Sequence, residues 1–377
     1  MKTLANTVFC LLFFVANSVI AQQPTRPPEL QPQEALKGIL DTFDKYQIVA
    51  LSESHGLQEE ADFIISLIQH PEFANRVNDI VVEWGNARYQ DVLDRYILGQ
   101  DIPLADVRKV WRDTTQSLFL TLDAPIYERF FVTVRAANQK VPLAKRVRVL
   151  AGDPPIDWSK GYDRAEMEKY MKPVTARDKH FADVVEKEVL SKGRKALLIM
   201  GGLHLSRNSW NPYGDCTCAP KVVIDILDER HPGKVFVIME SAFENKIPDI
   251  EVRLAAMPKP SLALLKGTWL GALDTDELMQ NTGIRFFPGG KAVRFKVNSY
   301  LGMKMQDLAD AILYLGEHDS LTGSYPTPEL YESDPEYVKE LEKRLGHKFR
   351  YEDFWRRRKT NKYFERSEAP PPQRPPQ

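Results

Sequence analysis

The sequence predicts an α/β fold: an open, mainly parallel sheet flanked by helices, with a helical insertion after the second strand. Two observations carry this. Short unbroken apolar runs recur along the chain, and longer stretches with helical periodicity separate them. The runs are Tyr46–Leu51, Asp79–Val82, Val147–Ala151, Ala196–Met200 and Val235–Met239. Each is rich in Val, Ile and Leu and lacks the alternation of a strand with one wet face, so each suits a strand buried on both faces. Helical spacing fills the gaps at Ala61–Gln69, at Ala165–Leu190 and from Val222 to Leu227. Strand–helix alternation calls for parallel strands joined by right-handed crossovers. The uneven length of the units favours an open sheet over a closed barrel. The stretch Trp84–Arg146 is mostly helical and lies between two strands, which makes it the insertion.

The ends of the chain read differently. Lys2, the apolar run Val8–Ala16 and the small-residue site Val19-Ile20-Ala21 form a signal peptide over residues 1–21, with cleavage expected after Ala21. This implies export to the periplasm or the extracellular medium. No other run approaches the roughly 20 apolar residues of a membrane span, so a mature chain without a transmembrane segment is expected. Residues 22–33 read as a disordered leader, 34–325 as the α/β domain, 326–367 as a charged helical extension and 368–377 as a Pro-rich disordered tail. The basic run Arg356–Lys359 reads as a solvated helix face. Past the leader only Cys216 and Cys218 remain, read as a tight loop staple or idle thiols.

Composition narrows the function. Among 377 residues, 51 Lys and Arg face 52 Asp and Glu, for a net charge of -1. A nucleic-acid binder needs a basic stripe, and a polybasic membrane-surface protein needs excess cations; neither is expected here. No Gly-x-Ser-x-Gly elbow is present, and Gly201-Gly202 lacks the Lys-Ser/Thr of a phosphate loop.

The chemistry stands at the strand ends. The five runs lead into Ser52-Glu53-Ser54-His55-Gly56, Glu83-Trp84-Gly85, Gly152-Asp153-Pro154-Pro155, Gly201-Gly202-Leu203-His204 and Glu240-Ser241. Parallel strands share one carboxyl edge, where ligands bind, so Glu53, His55, Glu83, Asp153, His204 and Glu240 should converge. Glu53, His55, Glu83 and His204 are the leading candidates. Asp153 and Glu240 also suit turns or caps and are secondary. So are Arg207, one turn past His204, and Arg135, which shares a helix face with Asn138; a structural ion pair or cap is the simpler role for both.

These motifs resemble the superfamily that joins erythromycin esterases, ChaN-type haem-binding proteins and the Tiki/TraB proteins. Val49-Ala50-Leu51-Ser52-Glu53-Ser54-His55-Gly56 is similar to its first motif, Val81–Gly85 to its second-strand Glu, and Gly201–His204 to its Gly-x-x-His element. The Glu-x-His spacing is that of the ChaN type, although Ser52 stands where Gly usually precedes Glu. Ala309–Gly316 resembles the closing segment of exported members. An esterase-like reading of the resemblance makes His55 the base that activates water, with Glu53 and Glu83 orienting and polarising and His204 stabilising the reacting group. The substrate would be a small-molecule ester or lactone, cleaved without metal. A Tiki-like reading uses Glu53, His55, Glu83 and His204 as ligands of a divalent Mn, Co or Zn ion, for hydrolysis of a peptide bond. A ChaN-like reading is haem or small-ligand carriage without catalysis; tyrosines of the inserted helices could supply an axial ligand, and the sequence marks no particular one.

Overall fold

The chain, seen here as a computed structural model, is described for residues 27–161, 174–207, 221–241, 247–275, 282–286, 292–296, 303–355 and 362. The signal peptide, Cys216, Cys218 and the Pro-rich tail lie outside the described residues. No helix among the described residues is long and apolar enough to cross a membrane.

The five apolar runs are strands β2 (Ile48–Glu53), β3 (Asp79–Asn86), β4 (Arg148–Asp153), β5 (Ala196–Gly201) and β6 (Val235–Glu240), all parallel. With β1 (Gln33–Glu34), β7 (Ser261–Leu264) and β10 (Ala311–Tyr314) they form one eight-stranded open sheet in the order β1-β7-β10-β6-β2-β5-β3-β4. β10 is parallel to β6, and β7 is antiparallel to both β10 and β1. A separate antiparallel hairpin joins β8 (Thr282–Phe286) to β9 (Ala292–Lys296).

Side chains alternate across the sheet, and so the two faces have different partners. Val49, Leu51, Ile80, Val82, Leu197 and Ile199 face one core. That core is closed by α1 (Ala35–Thr42), α2 (Gln58–Gln69), α3 (Phe73–Arg76) and the inserted helices α4 (Gln90–Ile97), α5 (Leu104–Arg112) and α6 (Pro125–Gln139). Ile48, Ala50, Val81, Leu198, Met200 and Val237 face the other. There α7 (Val174–Glu188), the single turn α8 (Gly202–Leu205), α9 (Val223–Arg230), α10 (Pro248–Leu254) and α11 (Met305–Leu308) pack.

The chain runs outward from β2 to β3 and β4, returns to insert β5 between β2 and β3, then continues on the far side as β6. Crossovers of one hand laid in opposite directions put helices on opposite faces, and they open a crevice beyond the carboxyl ends of β2, β5 and β6. Glu53 pairs in register with Gly201 at that edge.

One expectation needs correction. The end of the leader is ordered: Leu30 is buried, the Pro28 carbonyl accepts from the Trp269 amide at 2.9 Å, and Gln33 joins β1. A Gln- and Pro-rich composition hid one apolar anchor, and the backbone contacts it makes need no particular side chain. The charged extension folds into α12 (Pro328–Glu332), α13 (Pro335–Leu345) and α14 (Tyr351–Trp355) around its own cluster of Tyr331, Leu341 and Trp355, to which Leu120 is added from the insertion.

Candidate active site

β2 ends on Glu53, which is buried, and the turn that follows swings His55 back over it. His55 Nδ1 is hydrogen-bonded to Glu53 Oε2. A carboxylate only accepts, so Nδ1 carries the proton and the basic lone pair of the neutral ring is on Nε2. The other oxygen, Glu53 Oε1, accepts from the Tyr127 hydroxyl at 3.0 Å. The His55 side chain is 33% exposed, enough to meet a solute while its acceptor is buried. Burial alone would lower its pKa; the Glu53 contact, with the charge of Glu83 beyond it, lifts the value above the ordinary 6.5.

Glu83 is the other centre. Its Oε2 accepts from the Gly201 amide at 2.5 Å, and its Oε1 accepts from Arg177 Nη2 at 2.8 Å and from the Gln116 side-chain amide. A Cβ on Gly201 would stand 3.1 Å from Glu83 Oε2 and 3.6 Å from His55 Nε2, so a bare backbone at this position lets the two groups face each other. Burial would raise the Glu83 pKa, but Arg177, His204 and His55 hold it well below the ordinary carboxylate range.

His204 sits in the turn α8. Its Nδ1 meets Asp178 Oδ1 at 2.8 Å, and its Nε2 lies 3.5 Å from Glu83 Oε1. Burial works against its charge, yet Glu83 and Asp178 together push the pKa up to about 9, so the ring is an imidazolium at neutral pH. Arg177 Nη1 lies 3.4 Å from His204 Nε2, and Arg177 Nε donates to Asp153 Oδ1 at 3.0 Å. Asp153 also takes the backbone amide of Thr115 at 2.7 Å and its hydroxyl at 2.6 Å. The result is a basic imidazole on one side and two adjacent cations on the other, at one sheet edge.

The strand-end residues Glu53, His55, Glu83, Asp153 and His204 therefore come together. Glu240 lies beside them, its carboxylate accepting from the Ser54 hydroxyl at 3.2 Å. Arg207 and Arg135 do not join. Arg207 pairs with Asp228 and Asp310 at 2.7 and 2.8 Å, and Arg135 caps the end of α4 on the carbonyls of Tyr96, Gly99 and Gln100, with Asn138 on Ile97. Arg177, Asp178, Tyr127, Thr115, Gln116 and Glu60 were not among the strand-end candidates.

Among the described residues no group of three or more His, Cys, Asp and Glu side chains is arranged to hold a metal ion. The donor set Glu53, His55, Glu83 and His204 does not fit Mn, Co or Zn, because the Arg177 guanidinium lies 2.8 Å from Glu83 Oε1 and 3.4 Å from His204 Nε2, a fixed cation against two of the atoms that a metal would need. Two of the insertion's three tyrosines are engaged too: Tyr89 donates to Asp113 and Tyr127 to Glu53, leaving neither of these hydroxyls placed as a haem ligand.

Glu60 opens α2 with one oxygen on the Ser54 amide at 2.8 Å and the other buried without a partner. Burial, then Glu240 and Glu53, raise its pKa well above the usual 4.5. The folded protein thus keeps a proton that the unfolded chain releases, and stability falls as pH rises from the unfolded value through the folded one. Glu60→Gln removes this penalty and supplies a donor. It should raise stability by on the order of 1–2 kcal/mol at mildly alkaline pH, with the gain shrinking toward pH 4.5, as read by urea unfolding at the two pH values.

No family model and no curated protein matches the sequence. Among solved structures, the chain is similar to one described as a succinoglycan biosynthesis protein, with 13% identity, 79% of this chain and 96% of that chain covered, and a TM-score of 0.49. It is similar to an erythromycin esterase mutant in its open conformation, with 12% identity, 78% and 97% covered, and a TM-score of 0.46. The structural neighbours also include ChaN of Campylobacter jejuni with cofacially bound haem, at 15% identity, 54% and 85% covered, and a TM-score of 0.30.

Proposed function

We propose that this chain is an exported hydrolase that cleaves an ester or lactone by activating water at His55, without a metal. The observation that carries the proposal is the Glu53–His55 pair set opposite the charged Arg177–His204 pair around Glu83. Neutral His55 Nε2 takes a proton from water as the water oxygen attacks the substrate carbonyl. Glu53, steadied by Tyr127, stabilises the imidazolium that forms. Negative charge developing on the carbonyl oxygen is met by Arg177 and His204, whose positions are fixed before reaction by Glu83, Asp153 and Asp178. Collapse of the tetrahedral intermediate breaks the acyl–oxygen bond, and the imidazolium returns its proton to the leaving alcohol. No covalent enzyme intermediate is formed. Peptide bonds are the harder substrate for the same groups, since an amide leaving group must be protonated as it departs.

The test is a panel of p-nitrophenyl esters, lactones and peptides offered to the purified protein with and without a chelator. Steady hydrolysis of esters or lactones, unchanged by chelator and without a burst, is the expected outcome. Absence of turnover on every class, or turnover that the chelator removes, would overturn the proposal.

A further inference from the structure

The loop from Asp113 to Asp123 joins α5 to α6, and both of its ends are gripped by the C-terminal extension. At the first end, Arg344 on α13 donates from Nη2 to Asp113 Oδ1 at 2.7 Å and from Nη1 to Ser117 Oγ at 2.8 Å; its side chain is 5% exposed. At the other end, Asp123 is buried and accepts from the hydroxyls of Tyr331 at 2.9 Å and Tyr337 at 2.7 Å. Between these grips lie Thr115, which holds Asp153, and Gln116, which holds Glu83. Leu120 in the same loop has φ +55°, a left-handed backbone that is unfavourable for a residue with a side chain and persists only where its surroundings impose it. Its side chain is packed in the cluster of Tyr331, Leu341 and Trp355.

We propose that the C-terminal helices are a brace for the active site, and that Arg344 is a positioning residue acting through Asp113 and Ser117 on the Thr115–Gln116 turn. The inference rests on Glu83 and Asp153 belonging to the working centre, and not on which bond is cleaved. A brace of this kind explains why a helical extension outside the sheet carries buried charge. Arg344 and Arg112 together meet Asp113, Asp123 and Asp334 where the extension touches the insertion.

The experiment uses the full chain and its Arg344→Gln and Arg344→Lys variants, followed by NMR. Two signals report on the turn: the Thr115 backbone amide, which donates to Asp153, and the Gln116 side-chain amide, which donates to Glu83. The Leu198 amide in β5 reports on global opening. In Arg344→Gln the Thr115 amide should exchange at least about tenfold faster, and the Gln116 amide should move to the position of a free side chain, while Leu198 changes by less than about threefold. Arg344→Lys should restore part of both signals, since an ammonium reaches one acceptor where the guanidinium fork reaches two. Unchanged Thr115 and Gln116 signals in a folded variant would overturn the proposal, as would Thr115 and Leu198 accelerating by the same factor. If Arg344→Gln fails to fold, Ser117→Ala removes one grip only and is judged by the same criteria. Because no substrate enters these readings, their failure is distinct from a failure of the hydrolase reading.

Discussion

Arg177→Met is expected to cost about 3–5 kcal/mol of unfolding free energy near neutral pH, the range for stripping a buried carboxylate of its partner. The reason is that one guanidinium serves two buried acceptors, Glu83 at 2.8 Å and Asp153 at 3.0 Å, and methionine fills its space without its charge. Lysine should recover only part of the loss, because a single ammonium cannot span both acceptors from a fixed fork. The pH dependence has a definite sign. Glu83 has a depressed pKa in the native protein, so its stabilisation is present above the ordinary value near 4.5 and is lost as pH falls through the folded value. Without Arg177 the Glu83 value moves up, and the gap between wild type and variant should narrow on acidification. Urea unfolding near pH 7 and pH 4.5 measures both effects. A variant as stable as wild type at both would mean that Glu83 and Asp153 are held by something other than this cation.

His55→Ala should have the opposite profile: a large loss of activity with little loss of stability. The ring is partly exposed, and its partner Glu53 keeps Tyr127 after the substitution. Removing a general base costs typically 10²–10⁴ in rate, and here kcat should carry the loss with KM nearly unchanged, because the base acts in the transition state. His55→Gln, which retains a polar side chain but no base, should be as slow. Kinetics on the best ester of the panel, beside the thermal midpoint, check this. Full activity in either variant would remove His55 from the mechanism, and collapse of the fold in both would make the Glu53 pair structural.

What was legible in the sequence follows from what each residue does locally. β2 to β6 are buried on both faces, and a run such as Ala196–Met200 has no other use for so many apolar side chains in succession. β7 and β10 are four residues each, too short to stand out, and β7 turns antiparallel with Leu264 half-exposed. Glu53 and His204 were readable because they stand at or just past strand ends, and topology alone brings such ends to one edge; Glu83 was readable because its apolar run stops at Val82, although β3 continues to Asn86 with a register shift against β4. Arg177, Asp178, Glu60 and Tyr127 project from helices, where the edge rule is silent. A signal existed for three of them. Asp178 begins a stripe continued by Phe181, Ala182 and Val185, and Glu60 begins one continued by Phe63, Ile64 and Leu67. Tyr127 heads the stripe of Phe130, Phe131 and Val134. A carboxylate or hydroxyl on an apolar stripe must find a buried partner, and in each case that partner is in or beside the site. Arg177 lies next to that stripe and not on it, and Thr115 and Gln116 are loop residues whose placement depends on the distant Arg344.

The most direct measurement is the pH profile of kcat/KM on an ester substrate. The mechanism needs His55 neutral and His204 charged in the same molecule. Activity should therefore rise through an acid limb above the ordinary histidine value of 6.5, set by His55 and its Glu53 partner, and fall through an alkaline limb at about 9, set by His204. His204→Gln should erase the alkaline limb along with most of the rate. A rate undiminished at about pH 5 would contradict His55 as the base, and a rate still climbing beyond about pH 10 would contradict the imidazolium of His204 as the group that meets the oxyanion.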